Sequence, residues 1–334
     1  MILALFRFVL LAALFSLFAA PLGILAARRM GMLDIPGSAP HKLHQSPKPM
    51  AGGITLFPVL ILSSLLSGAM QDEEVYPILL AAIVILAFGI WDDLRGLSAP
   101  WKLLGQVLAT LLLILQGVFV RFTGFSALNI ALTLFWVIGV TNAFNLVDSM
   151  DGLASGLAGV AAAFFMLVTQ DAGQKTLAIF SAILLGGCIG LFYFNAAPAR
   201  LFLGDSGALL LGFMVAALAI VYTPRGLPQA SSWFVPILLL GVPIFDTILV
   251  TVSRMRRGLP IYKANRDHTY HRLVYLGMSP NRAVLTMHLA AILVGCLAFV
   301  ALSLPPLWAN LTFGLALLAG LVALLWLEHK GIPT

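Results

Sequence analysis

Apolar stretches about 20 residues long return again and again along this chain, separated by short polar connections. A segment of that length and character is what an α-helix needs to cross the hydrocarbon core of a bilayer, where every backbone polar group must find its partner within the segment. The composition agrees: of 334 residues 61% are hydrophobic and 10% charged, where soluble domains carry about a quarter charged residues. Disordered, collagen-like and disulfide-scaffold classes are excluded, because charge is low and there are two cysteines. Cys188 and Cys296 both sit inside apolar runs and read as packing or lipid-facing residues. The chain is therefore expected to be an all-α polytopic integral membrane protein, a single domain over residues 1–334 without soluble domain, linker or repeat.

Eleven spans are expected, over about residues 3–26, 51–69, 76–91, 101–119, 127–142, 152–169, 176–195, 207–223, 233–253, 284–303 and 306–327. The first lacks a basic leading region and is too long for the apolar core of a signal peptide. Arg28 and Arg29 follow it, so it reads as an uncleaved span with the N-terminus outside. Cytoplasmic loops are then about 27–50, 92–100, 143–151, 196–206 and 254–283, and the C-terminus is cytoplasmic. Fifteen of the 19 Lys and Arg fall on that side, leaving Arg7, Arg121, Lys175 and Arg225 for the other. The net charge of +6 thus reports topology rather than a nucleic-acid partner.

Against that frame the acids are informative. An aspartate at the centre of a membrane helix costs roughly 2.5–3.5 kcal/mol, so acids kept near spans default to function. Asp92, Asp93, Asp148, Asp151, Asp205, Asp246 and Asp267 all fall in or beside loops assigned to one side from Lys and Arg alone. Acids contribute little to topology, so their convergence is a separate observation.

Each cluster has a bland and a functional reading. Asp92-Asp93, in GIWDDLRG, is either a solvated helix end or a repelling pair that invites a cation or a shared proton. Lys102, in WKLLGQ, is either a snorkelling interface lysine or a phosphate contact. Asn142, Asn145, Asp148 and Asp151 recur every three residues in TNAFNLVDSMDGLASG. Capping explains one or two of these. All four can converge where a helix end feeds a turn, and two amides with two carboxylates suit a nucleotide or a hydrated metal. Asp205, in LFLGDSGA, is placed to cap the span that follows, or to sit beside helix amides where phosphate oxygens bind. The basic loop 254–273 serves topology next to anionic lipid, while Arg266, Asp267, His268, His271 and Arg272 resemble a diphosphate clamp. His288, within an apolar run, reads as a packed or interfacial histidine, and the Asn310-Leu311-Thr312 sequon as accidental.

Absences narrow the chemistry. There is no GxxxxGK[ST] phosphate loop and no HExxH zinc pair. Carboxylates without cysteine ligands suit Mg²⁺ or Mn²⁺ rather than zinc. An ion-coupled secondary transporter is the alternative function, but it favours midplane sites and broken helices, whereas these acids gather at one interface. CDP-alcohol phosphatidyltransferases use a DGxxAR run, and DGLASG lacks the Arg. Membrane prenyltransferases want DDxxD, and Asp92-Asp93 is followed by Leu, Arg and Gly.

Six elements in order, DIPGSAPHKLHQSPKPMAGG, WDDLRGLSAPWKLLGQ, NAFNLVDSMDG, LFLGDSGA, PIFDT and DHTYHRL, span about residues 34 to 273. In this pattern the chain resembles the polyprenyl-phosphate N-acetylhexosamine-1-phosphate transferases, relatives of phospho-N-acetylmuramoyl-pentapeptide translocase. The first element, with Asp34, Pro36, Lys42, His44 and Gly52-Gly53, looks like the branch that uses simple UDP-N-acetylhexosamines. Three positions depart from the family pattern: His41 where Arg is usual, Ser149 where glycine is usual, and Tyr270 where many relatives carry His. These bear on sugar preference.

The resemblance implies transfer of N-acetylhexosamine 1-phosphate, by default N-acetylglucosamine, from a UDP-sugar to undecaprenyl or another polyprenyl phosphate. UMP is released, in the first membrane step of cell-envelope glycan synthesis. It also implies a multi-pass protein of the bacterial cytoplasmic membrane, Mg²⁺ as cofactor with Mn²⁺ as substitute, and a homodimer as a plausible assembly. By the same resemblance Asp205 leads as metal ligand with Asp148, and Asp92 and Asp93 are further candidates placed near the polyprenyl phosphate. Lys102 would contact that phosphate. Asn142, Asn145, Asp148 and Asp151 would hold the nucleotide and order the metal's surroundings. Lys42 and His44 would bind substrate, Asp246 would support the nucleotide, and His268, His271 and Arg272 would clamp the diphosphate or sugar.

Overall fold

The structure, a computed structural model, describes residues 2–36, 46–224, 232–259 and 267–330. Among these it is helical apart from one antiparallel pair of two-residue strands, β1 (Leu33–Asp34) and β2 (Lys48–Pro49), and a bridge between Met50 and Phe202. Eight helices are long and apolar enough to cross a membrane, so the chain is a polytopic membrane protein. The chain divides into two units, Met1–Thr223 and Pro224–Thr334.

The first unit holds α1 (Ile2–Met30), α2 (Gly52–Ser67), α3 (Val75–Arg95), α4 (Ala99–Leu115), α5 (Ser126–Val147), α6 (Leu153–Asp171), α7 (Lys175–Asn195) and α8 (Gly204–Val221). α1 turns Leu3, Phe6, Leu10, Leu14, Phe18 and Leu22 outward while Leu5, Val9, Ala12 and Ala20 are buried. An apolar face of that length turned outward belongs against lipid. Its inner face lies on α7, where Gly186 and Gly190 admit the backbone of α1: a Cβ at Gly190 would stand 2.7 Å from the Ala13 carbonyl oxygen. Small residues at a helix interface are how membrane helices gain packing when the solvent is itself apolar. α8 is the buried centre of the unit and packs on α2, α3, α5 and α6.

Several boundaries differ from expectation, for local reasons. α3 runs on to Arg95 and α4 starts at Ala99, so Asp92 and Asp93 lie in the last turn of α3 rather than in a 92–100 loop. Nothing breaks that helix before Gly96, whose φ of 68° ends it. α8 begins at Gly204, and α2 and α4 are 16 and 17 residues long. At 1.5 Å per residue these last two reach about 24–26 Å, short of a core about 30 Å thick.

The second unit holds α9 (Val235–Leu239), α10 (Gly241–Arg256), α11 (Thr269–Tyr275), α12 (Pro280–Ala301) and α13 (Pro306–Lys330). The stretch expected as one span over 233–253 is therefore two helices. Pro243 has no N–H, so the Leu239 carbonyl loses its helical donor and the chain turns at Leu240. Within the expected 254–283 loop, α11 is an extra helix of seven residues. It is too short to form on propensity, and it is held by side chains from elsewhere in the unit. Arg254 grips Asp267 with Nε at 2.9 Å and Nη2 at 2.8 Å, and Arg257 Nη2 adds 2.9 Å. Arg272, 3% exposed, donates to Ser253 Oγ at 2.7 Å and to the Leu327 and Asp267 carbonyls, and pairs with Glu328 at 2.6 Å.

Burial would raise the Asp267 carboxyl, but the hydrogen bonds and charge of Arg254, with His268 and Arg257, outweigh it and hold the group below the usual carboxylate range. A depressed folded-state value means stability that is present above the unfolded-state value of about 4 and is lost as pH falls through the folded one. We therefore expect Asp267→Asn to cost about 3–5 kcal/mol at neutral pH, because it strands two guanidinium groups. It should also remove the part of the acid-induced loss of melting temperature, below about pH 4, that this carboxylate causes. Thermal unfolding in detergent across a pH series checks both effects, and an unchanged melting curve would contradict them.

Candidate active site

The first turn of α8 has no cap of its own, since Leu203 precedes it and offers no side-chain acceptor. The missing cap comes from α3. Asp93, 8% exposed, accepts the Asp205 N–H on Oδ1 at 2.7 Å and the Ser206 N–H on Oδ2 at 3.1 Å. Glycines make room for this contact. Gly204 has φ +67°, and a Cβ there would stand 2.7 Å from Asp93 Oδ1. Gly89, one turn earlier on α3, abuts Ser206, and Gly53 on α2 faces Ser206 at 2.7 Å. So Asp205 does not cap its own helix, which was one of its two readings from sequence, and the Asp205 and Ser206 amides are already taken by Asp93.

Asp205 is left to face outward into a polar cluster. Its Oδ1 accepts Lys102 Nζ at 2.9 Å and Asn145 Nδ2 at 2.8 Å, and its side chain stays 29% exposed. Lys102 also contacts Asp92 Oδ2, so one ammonium bridges the end of α3 and the start of α8. Asp92 Oδ1 in turn accepts the Leu97 N–H, which fixes the turn leading into α4. One turn after Lys102, Gln106 is 2% exposed and exchanges amide hydrogen bonds with Asn142, at 2.6 and 3.3 Å. Lys102 and Gln106 thus form one face of α4, and Asn142 and Asn145 one face of α5.

Asp148 closes α5 as its C-cap residue and is partly exposed. Burial, then the charges of Asp205, Asp93 and Asp151, push its carboxyl well above the usual range. Asp151 does something else: its Oδ2 accepts the Ala199 N–H at 2.9 Å, tying the α5–α6 turn to the segment before α8. Asn195 stiffens that segment by accepting Ser155 Oγ at 2.7 Å and donating to the Leu201 carbonyl. Six of the expected residues, Asp92, Lys102, Asn142, Asn145, Asp148 and Asp205, thus surround or abut one cluster, with Asp93 and Asp151 bracing it.

The second unit holds the other expected group. Asp246 is fully buried and lies 2.8 Å from His268 Nδ1, while accepting the Thr269 N–H at 2.6 Å. His271 stands beside Tyr270 with ring centroids 4.5 Å apart. Arg272, expected to clamp a diphosphate, spends its guanidinium inside the unit. Lys42 and His44 lie outside the described residues. Residues that sequence reasoning left without a role are Gln106, Asn195 and Glu328. Gln106 had a usable signal, because it stands four residues after Lys102 in the quoted motif. Asn195 and Glu328 are polar residues near helix ends, with no pattern to set them apart.

The bracing of α8 can be tested directly. Asp93→Ala should lower stability by about 1–3 kcal/mol for each α8 amide left without its acceptor, and Gly204→Ala by at least about 1–2 kcal/mol for the left-handed backbone. Melting temperatures equal to wild type in both variants would contradict the capping assignment.

Comparison with known proteins bears on the same residues. Residues 75–223, from α3 to the end of α8, match glycosyl transferase family 4. A Bacillus subtilis protein named as a probable undecaprenyl-phosphate N-acetylglucosaminyl 1-phosphate transferase is 30% identical over 85% of this chain and 81% of its own length. A decaprenyl-phosphate N-acetylglucosaminephosphotransferase of Mycobacterium tuberculosis is 31% identical over 96% of this chain and 89% of its own. A phospho-N-acetylmuramoyl-pentapeptide-transferase of Halalkalibacterium halodurans is 30% identical over 77% and 85%. The cluster at the start of α8 is thus built from motifs of a known kind, and the chain belongs to the polyprenyl-phosphate N-acetylhexosamine-1-phosphate transferase family.

Proposed function

We propose that this protein transfers N-acetylhexosamine 1-phosphate, N-acetylglucosamine by default, from a UDP-sugar to a polyprenyl phosphate in the bacterial cytoplasmic membrane, releasing UMP. The observation that carries the reading is the exposed Asp205 carboxylate, held by Lys102 and Asn145 at the start of a buried helix. Two of the relatives above are named for undecaprenyl or decaprenyl phosphate, and the family relationship lends nothing to the ion-coupled transporter alternative. The bias of Lys and Arg supports an orientation with the N-terminus outside, the C-terminus cytoplasmic and the cluster facing the cytoplasm.

The reaction exchanges one diphosphate bond for another, so it needs no separate energy source. What it needs is alignment and charge: a lipid phosphate oxygen must reach the sugar-linked phosphorus in line with the departing UMP. Two anions must also be brought together. Lys102 supplies positive charge for the lipid phosphate, and Asp92 holds that ammonium in place. The second pKa of a phosphate monoester is near about 6, so the acceptor is largely dianionic at neutral pH and needs no base from the protein. Asn142 and Asn145, fixed by Gln106 and Asp205, present amides to the nucleotide.

The residues present fit a divalent cation. Asp148 and Asp205 are hard-oxygen donors, and burial followed by the charge of Asp205 raises the Asp148 carboxyl. Among the described residues no group of three His, Cys, Asp or Glu is arranged as a ready metal cage. Two carboxylates plus substrate phosphate oxygens and water are the usual surroundings of Mg²⁺. Asp205 and Asp148 would hold it, and it would offset charge on the diphosphate oxygens.

Purified protein in detergent, given undecaprenyl phosphate, Mg²⁺ and a panel of UDP-sugars, should release UMP only when the lipid is present. The activity should vanish with EDTA and return with excess Mg²⁺ or Mn²⁺, and mass spectrometry of the lipid product should name the sugar. Absence of lipid-dependent UMP from folded protein with every UDP-N-acetylhexosamine would sink the proposal.

A further inference from the structure

Apart from the Asp205 cluster, the first unit holds a cavity of about 310 Å³ at the C-terminal end of α1. Three cationic side chains line it: Arg28 from the last turn of α1, Lys48 from β2 and Arg200 from the segment before α8. Among the described residues no acid lines it, and none of the three cations forms an ion pair. Asp34, which stands opposite Lys48 in the strand pair, is not part of the lining. The cavity is open to the surface, since Arg28, Pro47 and Arg200 are exposed.

Topology alone asks for positive charge beside a span, and Arg28 also meets the negative end of the α1 dipole. Neither asks that three cations far apart in sequence converge on one cavity, nor that they be held in place. Two of them are held. Lys48 Nζ donates to the Ala199 carbonyl at 2.8 Å, and the Ala199 N–H is itself fixed by Asp151 Oδ2 at 2.9 Å. Arg200 Nη2 donates to the Tyr193 carbonyl at 3.2 Å, and its guanidinium lies 4.7 Å from the ring centroids of Tyr193 and Phe194. An ammonium and a guanidinium each carry more N–H groups than these contacts use, so both keep donors for a ligand.

The walls and the level in the membrane narrow the anion. Ile24, Pro47 and Pro49 give the cavity an apolar side, and Leu22 and Leu25 at the same end of α1 are exposed. α1 is long and apolar enough to cross a membrane, so its C-terminal end lies at the bilayer surface. Converging Arg and Lys donors beside an apolar wall at that level suit a phosphate group.

We propose that this cavity binds a phosphate-bearing anion at the membrane surface through Arg28, Lys48 and Arg200. The headgroup of an anionic phospholipid and free phosphate share that chemistry, and titration with each separates them. The site shares no residue with the Asp205 cluster, and the inference stands apart from the transferase reading.

Full-length protein in detergent is titrated with phosphatidylglycerol and phosphatidylcholine, read by native mass spectrometry, and with inorganic phosphate, read by calorimetry. The double variant Lys48→Gln with Arg200→Gln removes two charges from the cavity. Arg29→Gln with Arg95→Gln removes two exposed charges that do not line it, and serves as the charge-matched control. A lipid headgroup predicts that phosphatidylglycerol binds wild type and control alike and the cavity variant roughly 10- to 100-fold more weakly, with phosphatidylcholine weak throughout. Free phosphate predicts the same loss for inorganic phosphate, with no preference between the two lipids. Arg28→Gln keeps the test decisive if the double variant fails to fold. Among the described residues the Arg28 side chain makes no hydrogen bond or ion pair, so this variant should fold and bind the same ligand about tenfold more weakly. Equal binding of lipid and phosphate by wild type, cavity variants and control overturns the proposal, as does a loss in the control that matches the loss in the cavity variants.

Discussion

Two hydrogen bonds from the backbone of α8 to one carboxylate on α3 organise the centre of this protein. The Asp205 and Ser206 amides end on Asp93, and the close approach this demands accounts for glycine at 89 and 204. A helix start buried in protein must find acceptors somewhere. Here the acceptor is a carboxyl group from a neighbouring helix, whose two oxygens take both amides. The consequence is directional: with its own amide held, Asp205 presents its carboxylate to Lys102 and Asn145. The neighbouring aspartate, Asp92, serves the same end by anchoring that lysine. Adjacent carboxylates that look alike in sequence thus do different work, one holding a backbone and the other a cation.

The two units use charge differently. In Met1–Thr223 the clustered groups keep partial exposure, as Asp205 and Lys102 do at 29% and 27% of their side chains. In Pro224–Thr334 the ionic groups are mostly buried and mutually matched, with Asp267 against two arginines and Arg272 against Glu328, Ser253 and backbone carbonyls. Such a network specifies how short helices meet where propensity alone would not form them.

Much of this was legible in the sequence. Spans follow from hydropathy because the membrane leaves the backbone no alternative to a helix. The polar cluster was marked by acids and amides placed beside loops, where their cost is lowest. Asn142, Asn145 and Asp205 do converge with Lys102, as their motifs suggested. What could not be read is which oxygen meets which donor. Asp205 looked like the cap of its own helix because it stands where caps stand, and only the packing of α3 on α8 reveals that Asp93 does the work. The 233–253 stretch read as one span because its hydropathy is continuous, and the turn at Leu240 before Pro243 leaves no mark in that pattern. Arg272 looked like a phosphate ligand because motif position carries no burial. Gln106 carried a signal, standing one helical turn after Lys102, but no charge marked it as costly in an apolar helix.

The central claim is that the carboxylate held out by this framework does the chemistry. Turnover of Asp205→Asn, in protein whose melting behaviour matches wild type, tests it most directly. The account predicts a loss of roughly a hundred- to a thousandfold in kcat, with Asn145 and Lys102 still in place. Turnover close to wild type, still dependent on Mg²⁺, would contradict it and move the reacting centre away from the start of α8.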